Sequence, residues 1–82
     1  MNYAIITVDV SKVIEIVEDK QRYTEYLVAK PWINWYIVGS RNKYSKTGKW
    51  YFSFKGYPMK DVQGEIVETR ILTPDEAFVE FL

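Results

Sequence analysis

Between Asn2 and Val10, Ala4, Ile6, Val8 and Val10 alternate with Tyr3, Ile5, Thr7 and Asp9. A period of two gathers the first set on one side only in an extended strand, and the fully apolar face so formed has to be covered. The cover must come from side-chain packing, because the chain has no cysteine and no histidine. Disulfides and thiolate metal sites are thereby excluded, as are the commonest zinc ligand and the usual general base. With 82 residues the chain is read as one globular domain, residues 1–82. A domain of this size buries only ~60% of the surface its unfolded chain exposes, so large side chains matter. Seven Tyr, four Phe and three Trp supply them, and each ring buries more area than an aliphatic side chain. Homodimerisation is a second way to hide such surface.

Further strands follow. Tyr23 to Ala29 reads as a strand punctuated by Pro31, and Trp32 to Arg41 and Lys49 to Lys55 read as two aromatic-rich strands. The polar loop Asn42 to Gly48 joins these two as a long hairpin, with Gly48 suited to a positive φ. Gly56 and Pro58 are expected to end the second of them, and Gly64 opens another strand, Glu65 to Leu72. Residues 11–20 support two readings. Apolar side chains at 10, 13, 14 and 17 have helical spacing, with Ser11 as N-cap. The β-branched residues Val13, Ile14, Ile16 and Val17 instead favour a hairpin turning at Asp19-Lys20. The spacing favours a short helix slightly.

At the C-terminus Thr73 is an N-cap, Pro74 suits the first helical position, and Glu76 completes a capping box. Ala77, Phe78, Phe81 and Leu82 then form the stripe expected to dock on the sheet. The architecture implied is α+β: a twisted antiparallel β-sheet or partly open small barrel with a C-terminal helix.

Charge is segregated beneath a net of zero. Residues 1–25 carry a net −2, residues 26–60 a net +7 with no acid at all, and residues 61–82 a net −5. Ordinary solvated hairpins intersperse the two signs. A basic, aromatic, acid-free segment is the electrostatic footprint of a nucleic-acid surface. On Lys49 to Lys55 one face carries Trp50, Phe52 and Phe54, expected in the core, and the other carries Lys49, Tyr51, Ser53 and Lys55. A flat ring flanked by cations suits base stacking and phosphate neutralisation. The candidate nucleic-acid-binding residues are Arg41, Lys43, Tyr44, Lys46, Lys49, Tyr51 and Lys55.

Hairpin register decides which residues of the preceding strand join Tyr51. An even sum of opposed residue numbers brings Ile33, Trp35, Ile37 and Arg41; an odd sum brings Trp32, Asn34 and Tyr36. The competing reading is plain packing, since strand aromatics usually fill cores and hairpin lysines usually protect edges.

A protein-interaction module, such as a small regulator or inhibitor encoded by a virus or mobile element, is the alternative function. Glu65, Glu68, Asp75, Glu76 and Glu80 could then face a basic partner or mimic nucleic acid, although acids at these places also suit a helix N-terminus and a solvated strand. Enzyme signatures are lacking: no phosphate-binding loop and no Ser/His/Asp set. Asp61 with Glu68-Thr69-Arg70 is the one set that could serve a metal-dependent nuclease, at a spacing common by chance. The expectation is a non-enzymatic chain with no catalytic residues, metal or cofactor. No stretch approaches the ~20 apolar residues that span a bilayer, and Asp9 ends the first apolar run too early for a signal peptide. A cytoplasmic location away from membranes is expected. The glycine and aromatic spacing of an RNA-recognition sheet is absent.

Overall fold

The first strand holds the centre of the molecule. In the computed structural model, which describes residues 1–82, β1 (Asn2–Asp9) pairs antiparallel with β2 (Tyr23–Lys30) on one side and β5 (Glu65–Leu72) on the other. β3 (Tyr36–Asn42) and β4 (Tyr51–Pro58) extend the sheet beyond β2. The result is a five-stranded sheet in the order β4-β3-β2-β1-β5, with β4 and β5 at opposite edges. It does not close into a barrel. A single helix, α1 (Pro74–Glu80), follows β5.

Both faces of β1 are buried, each by side chains packed onto the sheet from outside it. Ala4, Ile6, Val8 and Val10 form one core with Val28 and Ile37, covered by Ile16, Trp35, Met59 and Val62. Ile5 joins Leu27, Trp50, Leu72 and Ala77 in a second core on the face where the helix lies. The chain passes from the β4 edge to the β5 edge through residues 59–64, which begin with a 3₁₀ turn, Met59–Asp61. Met59 and Val62 give this crossing its apolar contacts with the first core. Gly64 closes it at φ 112°, where an added Cβ would lie 2.6 Å from the Asp9 carbonyl oxygen.

Residues 11–20 form neither the expected helix nor a strand. Val13 and Ile14 both donate to the Val10 carbonyl, making a single turn, and a short 3₁₀ turn follows at Asp19–Gln21. Ser11 donates its backbone N–H to Asp9 Oδ1 (2.9 Å), so it serves the turn that leaves β1 rather than capping a helix. The helical stripe fails because, beyond Val10, its members do not find a core. Val13, Ile14 and Val17 remain exposed, and Ile16, off that stripe, is the residue that packs. Stiff β-branched side chains add to the cost of a helix there.

The capping box at Thr73 is present as the residues specify: Thr73 Oγ1 accepts from the Glu76 N–H, and Glu76 Oε1 accepts from the Thr73 N–H. The docking face of α1 differs from the expected stripe. Ala77 is buried, Phe81 is half-exposed at 45%, and Phe78, Val79 and Leu82 face outward. Glu80 takes the inward position, accepting a hydrogen bond from the Trp50 indole N–H (2.8 Å). That anchor turns the helix so that 77, 80 and 81 meet the sheet, a set with helical i, i+3, i+4 spacing.

Candidate nucleic-acid interface

The long β3–β4 connection is held by its own polar side chains. Asn42 Oδ1 accepts from the Tyr44 N–H (2.8 Å), while Asn42 Nδ2 donates to the Lys20 carbonyl (2.7 Å). Thr47 Oγ1 accepts from the Lys49 N–H, and Gly48 turns the chain at φ 67°. Such side-chain bonds replace the strand ladder that the loop lacks.

Arg41 occupies the base of this loop. Its Nε donates to Glu25 Oε1 (3.0 Å), its Nη1 donates to the Gly48 carbonyl and lies 3.6 Å from Glu80 Oε2, and its guanidinium stacks over the Trp50 ring at 3.8 Å. Its side chain is 17% exposed. The residue thus ties β2, β3, the loop, Trp50 and the helix together. Two acids from outside the basic segment neutralise it.

The β3–β4 register is neither of the two uniform alternatives. Ser40 faces Tyr51 and Gly39 faces Phe52, but beyond Val38 the pairing resumes as Ile37 with Tyr57. Residues Ser53 to Gly56 therefore project as an irregularity, with Gly56 at φ 66° and its N–H donated to Ser53 Oγ (3.2 Å). A Cβ at Gly56 would stand 3.0 Å from the Ile37 carbonyl oxygen, so the close return of the chain requires glycine. The strand continues through Gly56 to Pro58 rather than ending there. Trp32 to Trp35 fall outside β3, in a bend, and Tyr51 lies across from Ser40 instead of a ring.

The face expected to be core is only partly so. Trp50 is buried, Phe52 is half-exposed and stacked on Phe81 (centroids 5.5 Å apart), and Phe54 projects fully into solvent at the irregularity. Tyr51 is 81% exposed and Tyr44 is also exposed. Lys43, Lys46, Lys49 and Lys55 are exposed, and none takes part in the molecule's ion pairs. Lys43 Nζ lies 5.0 Å from the Tyr23 ring and 5.7 Å from the Tyr44 ring. The outer edge of β4 pairs with no strand. Exposed rings and unpaired cations thus run together from the loop along a free edge. Phe54, and the half-buried Tyr23 on β2 beside Lys43, are the two rings that the sequence pattern did not single out. The wide chain excursion that frees Phe54 depends on pairing that no local pattern encodes.

The acidic side chains are distributed differently. Glu65 and Glu68 lie on β5 at the far edge, Glu76 is engaged by Thr73 and Arg70, and Glu80 by Trp50 and Arg41. No three carboxylates, Asp61 and Glu68 included, gather at metal-binding distance. The hydrogen bond to Thr73 lowers the Glu76 carboxyl from its ordinary range. The Arg22 guanidinium, with the Ser11 N–H, holds Asp9 far below that range, and Asp9 raises Arg22 in turn. Burial pushes the Tyr26 phenol up. No protein-family model matches this chain, and comparisons with curated proteins and with solved structures give no match.

Proposed function

We propose that the chain is a non-enzymatic binder of single-stranded nucleic acid, using the β3–β4 loop and the free β4 edge. The observation that carries this reading is the run of Lys43, Tyr44, Lys46, Lys49, Tyr51, Phe54 and Lys55: solvent-facing rings among lysines that no carboxylate engages. Unpaired lysines can neutralise phosphates and release their counterions. Exposed rings can accept a base only where that base is free of its own stack, which favours single strands over duplex. Arg41 supports the surface by holding Gly48 and Trp50 rather than by offering a free cation.

Fluorescence titration with single-stranded DNA and RNA tests the assignment. Tyr51→Ala is expected to weaken binding by ~1–3 kcal/mol with little change in salt dependence, because stacking is not a counterion effect. Lys49→Ala or Lys55→Ala should instead reduce the log–log salt slope by ~0.7 each. Unaltered affinity in a Lys49→Ala/Tyr51→Ala double variant excludes this edge as the surface.

The free β4 edge also favours a second reading, a protein partner that adds a strand beside Tyr51 to Pro58 and covers Phe52 and Phe54. The small-regulator function anticipated from the sequence would act in that way. Oligonucleotide binding that competes with no protein ligand separates the two.

A further inference from the structure

At the far end of β4 the chain forms a half-open cavity of about 350 Å³, lined by Ile33, Asn34, Trp35, Tyr36, Pro58, Met59 and Lys60. Its floor is firm. Trp35 packs against the first core, and its carbonyl accepts the Met59 N–H (3.0 Å), which fixes the wall from the bend against the wall from the crossing. Trp35, Tyr36, Ile33 and Met59 make the walls largely apolar, while Asn34 supplies an exposed amide with both donor and acceptor. Lys60 is exposed and without a carboxylate partner, and Lys30 stands over Trp35 with its Nζ 5.9 Å from the ring. No acid lines the cavity.

We propose that this cavity takes one unstacked nucleobase, its phosphate turned toward Lys60. The case rests on chemistry and on position. A largely apolar cavity lined by an indole and a phenol suits a planar heterocycle, one amide can pair with the edge of a base, and an uncompensated ammonium at the rim suits the attached phosphate. The cavity also continues the proposed binding edge. β4 carries Tyr51 at one end and the cavity-lining Pro58 at the other, and because Ser53 to Gly56 bulge out, their partners on β3, Ser40 and Tyr36, are only four residues apart, roughly 13 Å by strand rise. A strand stacked on Tyr51 and following this edge is led toward the cavity. The occupant can come from such a strand or from a free mononucleotide; the recognised chemistry is the same. As a site for a strand, the proposal rests on the nucleic-acid reading above.

Amide-resolved NMR titration of the full chain tests it. Adenosine 5′-monophosphate and uridine 5′-monophosphate at millimolar concentration should shift the Asn34 side-chain amide, the Trp35 indole and the Lys60 backbone. Ribose 5-phosphate should leave them unmoved, because it lacks the base. Lys60→Ala should lower mononucleotide affinity to that of the uncharged nucleoside. Asn34→Ala should lower it about three- to tenfold, the worth of one or two neutral hydrogen bonds. Both positions are exposed, so neither variant threatens the fold.

Equal shifts from ribose 5-phosphate, or none from either mononucleotide, would overturn the proposal. An oligonucleotide that shifts residues 43–55 while leaving the cavity unmoved rejects the strand as the source of the base, and leaves the edge surface standing. Cavity shifts by mononucleotides, with no oligonucleotide binding at any site, would support a free-nucleotide pocket and reject the edge reading instead.

Discussion

Replacing Arg41 by alanine removes the one cation shared by two carboxylates and a ring. In the folded protein its guanidinium meets Glu25 at 3.0 Å and Glu80 at 3.6 Å, and these side chains retain only 17% and 18% of their exposure. Removing one partner from a fully buried ion pair costs ~3–5 kcal/mol, because the remaining charge is stranded. Here the residual exposure lets water reach Glu25 and Glu80, which lowers that figure, while loss of the stack on Trp50 adds ~0.5–2 kcal/mol. A net loss of ~2–4 kcal/mol follows from the two terms taken together. For a domain of this size each kcal/mol moves the melting temperature by ~4–8 °C, so the Arg41→Ala variant should melt roughly 10–25 °C lower. Urea and thermal unfolding, read by circular dichroism, measure it. The same substitution made in a Glu25→Ala/Glu80→Ala background should cost much less, since no stranded acid remains. A loss below ~1 kcal/mol, the value of an exposed pair, would refute the view that Arg41 is a structural tie.

Other expectations follow from single contacts. Asp9 has a folded pKa far below its unfolded value of ~3.9, so its contribution to stability is complete above about pH 5 and drains away as pH falls below about 4. Urea midpoints measured from pH 7 to pH 2 should show that decline, and Asp9→Asn should make it shallower; the shifted Glu76 leaves a residual slope of the same sign. Gly64→Ala combines a positive φ with a Cβ 2.6 Å from backbone and 2.8 Å from Val8 Cγ1, and equilibrium unfolding should register a loss of at least ~2 kcal/mol. Phe81 is half-exposed against Tyr3 and Phe52. Its alanine variant should therefore lose only ~1–2 kcal/mol by the same assay, rather than the ~3–5 kcal/mol of a fully buried ring.

The parts of this fold that the sequence declares are those governed by near neighbours. Period-two alternation marks β1 and β5, a run bounded by Pro31 marks β2, and the Thr73–Pro74–Glu76 triplet marks the helix start because each residue serves a backbone group within four positions. What eludes such reading depends on distant partners. Whether Val13, Ile14 and Val17 fold as a helix turns on whether a core is there to receive them, and it is not. Which helix face docks is decided by Trp50 and Arg41 reaching Glu80 across at least thirty residues of chain. The single residue Val38, set against Ser53 to Gly56, sends Phe54 into solvent although alternation alone places it with Trp50.

The candidate surface divides in the same way. Its lysines and Tyr51 stand out in the acid-free interval, whereas the withdrawal of Arg41 from that surface comes from Glu25 and Glu80, both outside it. The cavity at Asn34, Trp35 and Lys60 joins segments from either end of the β3–β4 hairpin, and nothing in either segment alone announces it.

Binding of the unmodified protein to a fluorescent single-stranded oligonucleotide, followed as salt is raised, tests the central claim most directly. Four unpaired lysines, Lys43, Lys46, Lys49 and Lys55, are available to contact phosphate. At ~0.7 per phosphate on a single strand, the plot of log affinity against log salt should fall with a slope near −3. No detectable association at ~50 mM salt, where such attraction is only weakly screened, or an affinity indifferent to salt, would contradict the account.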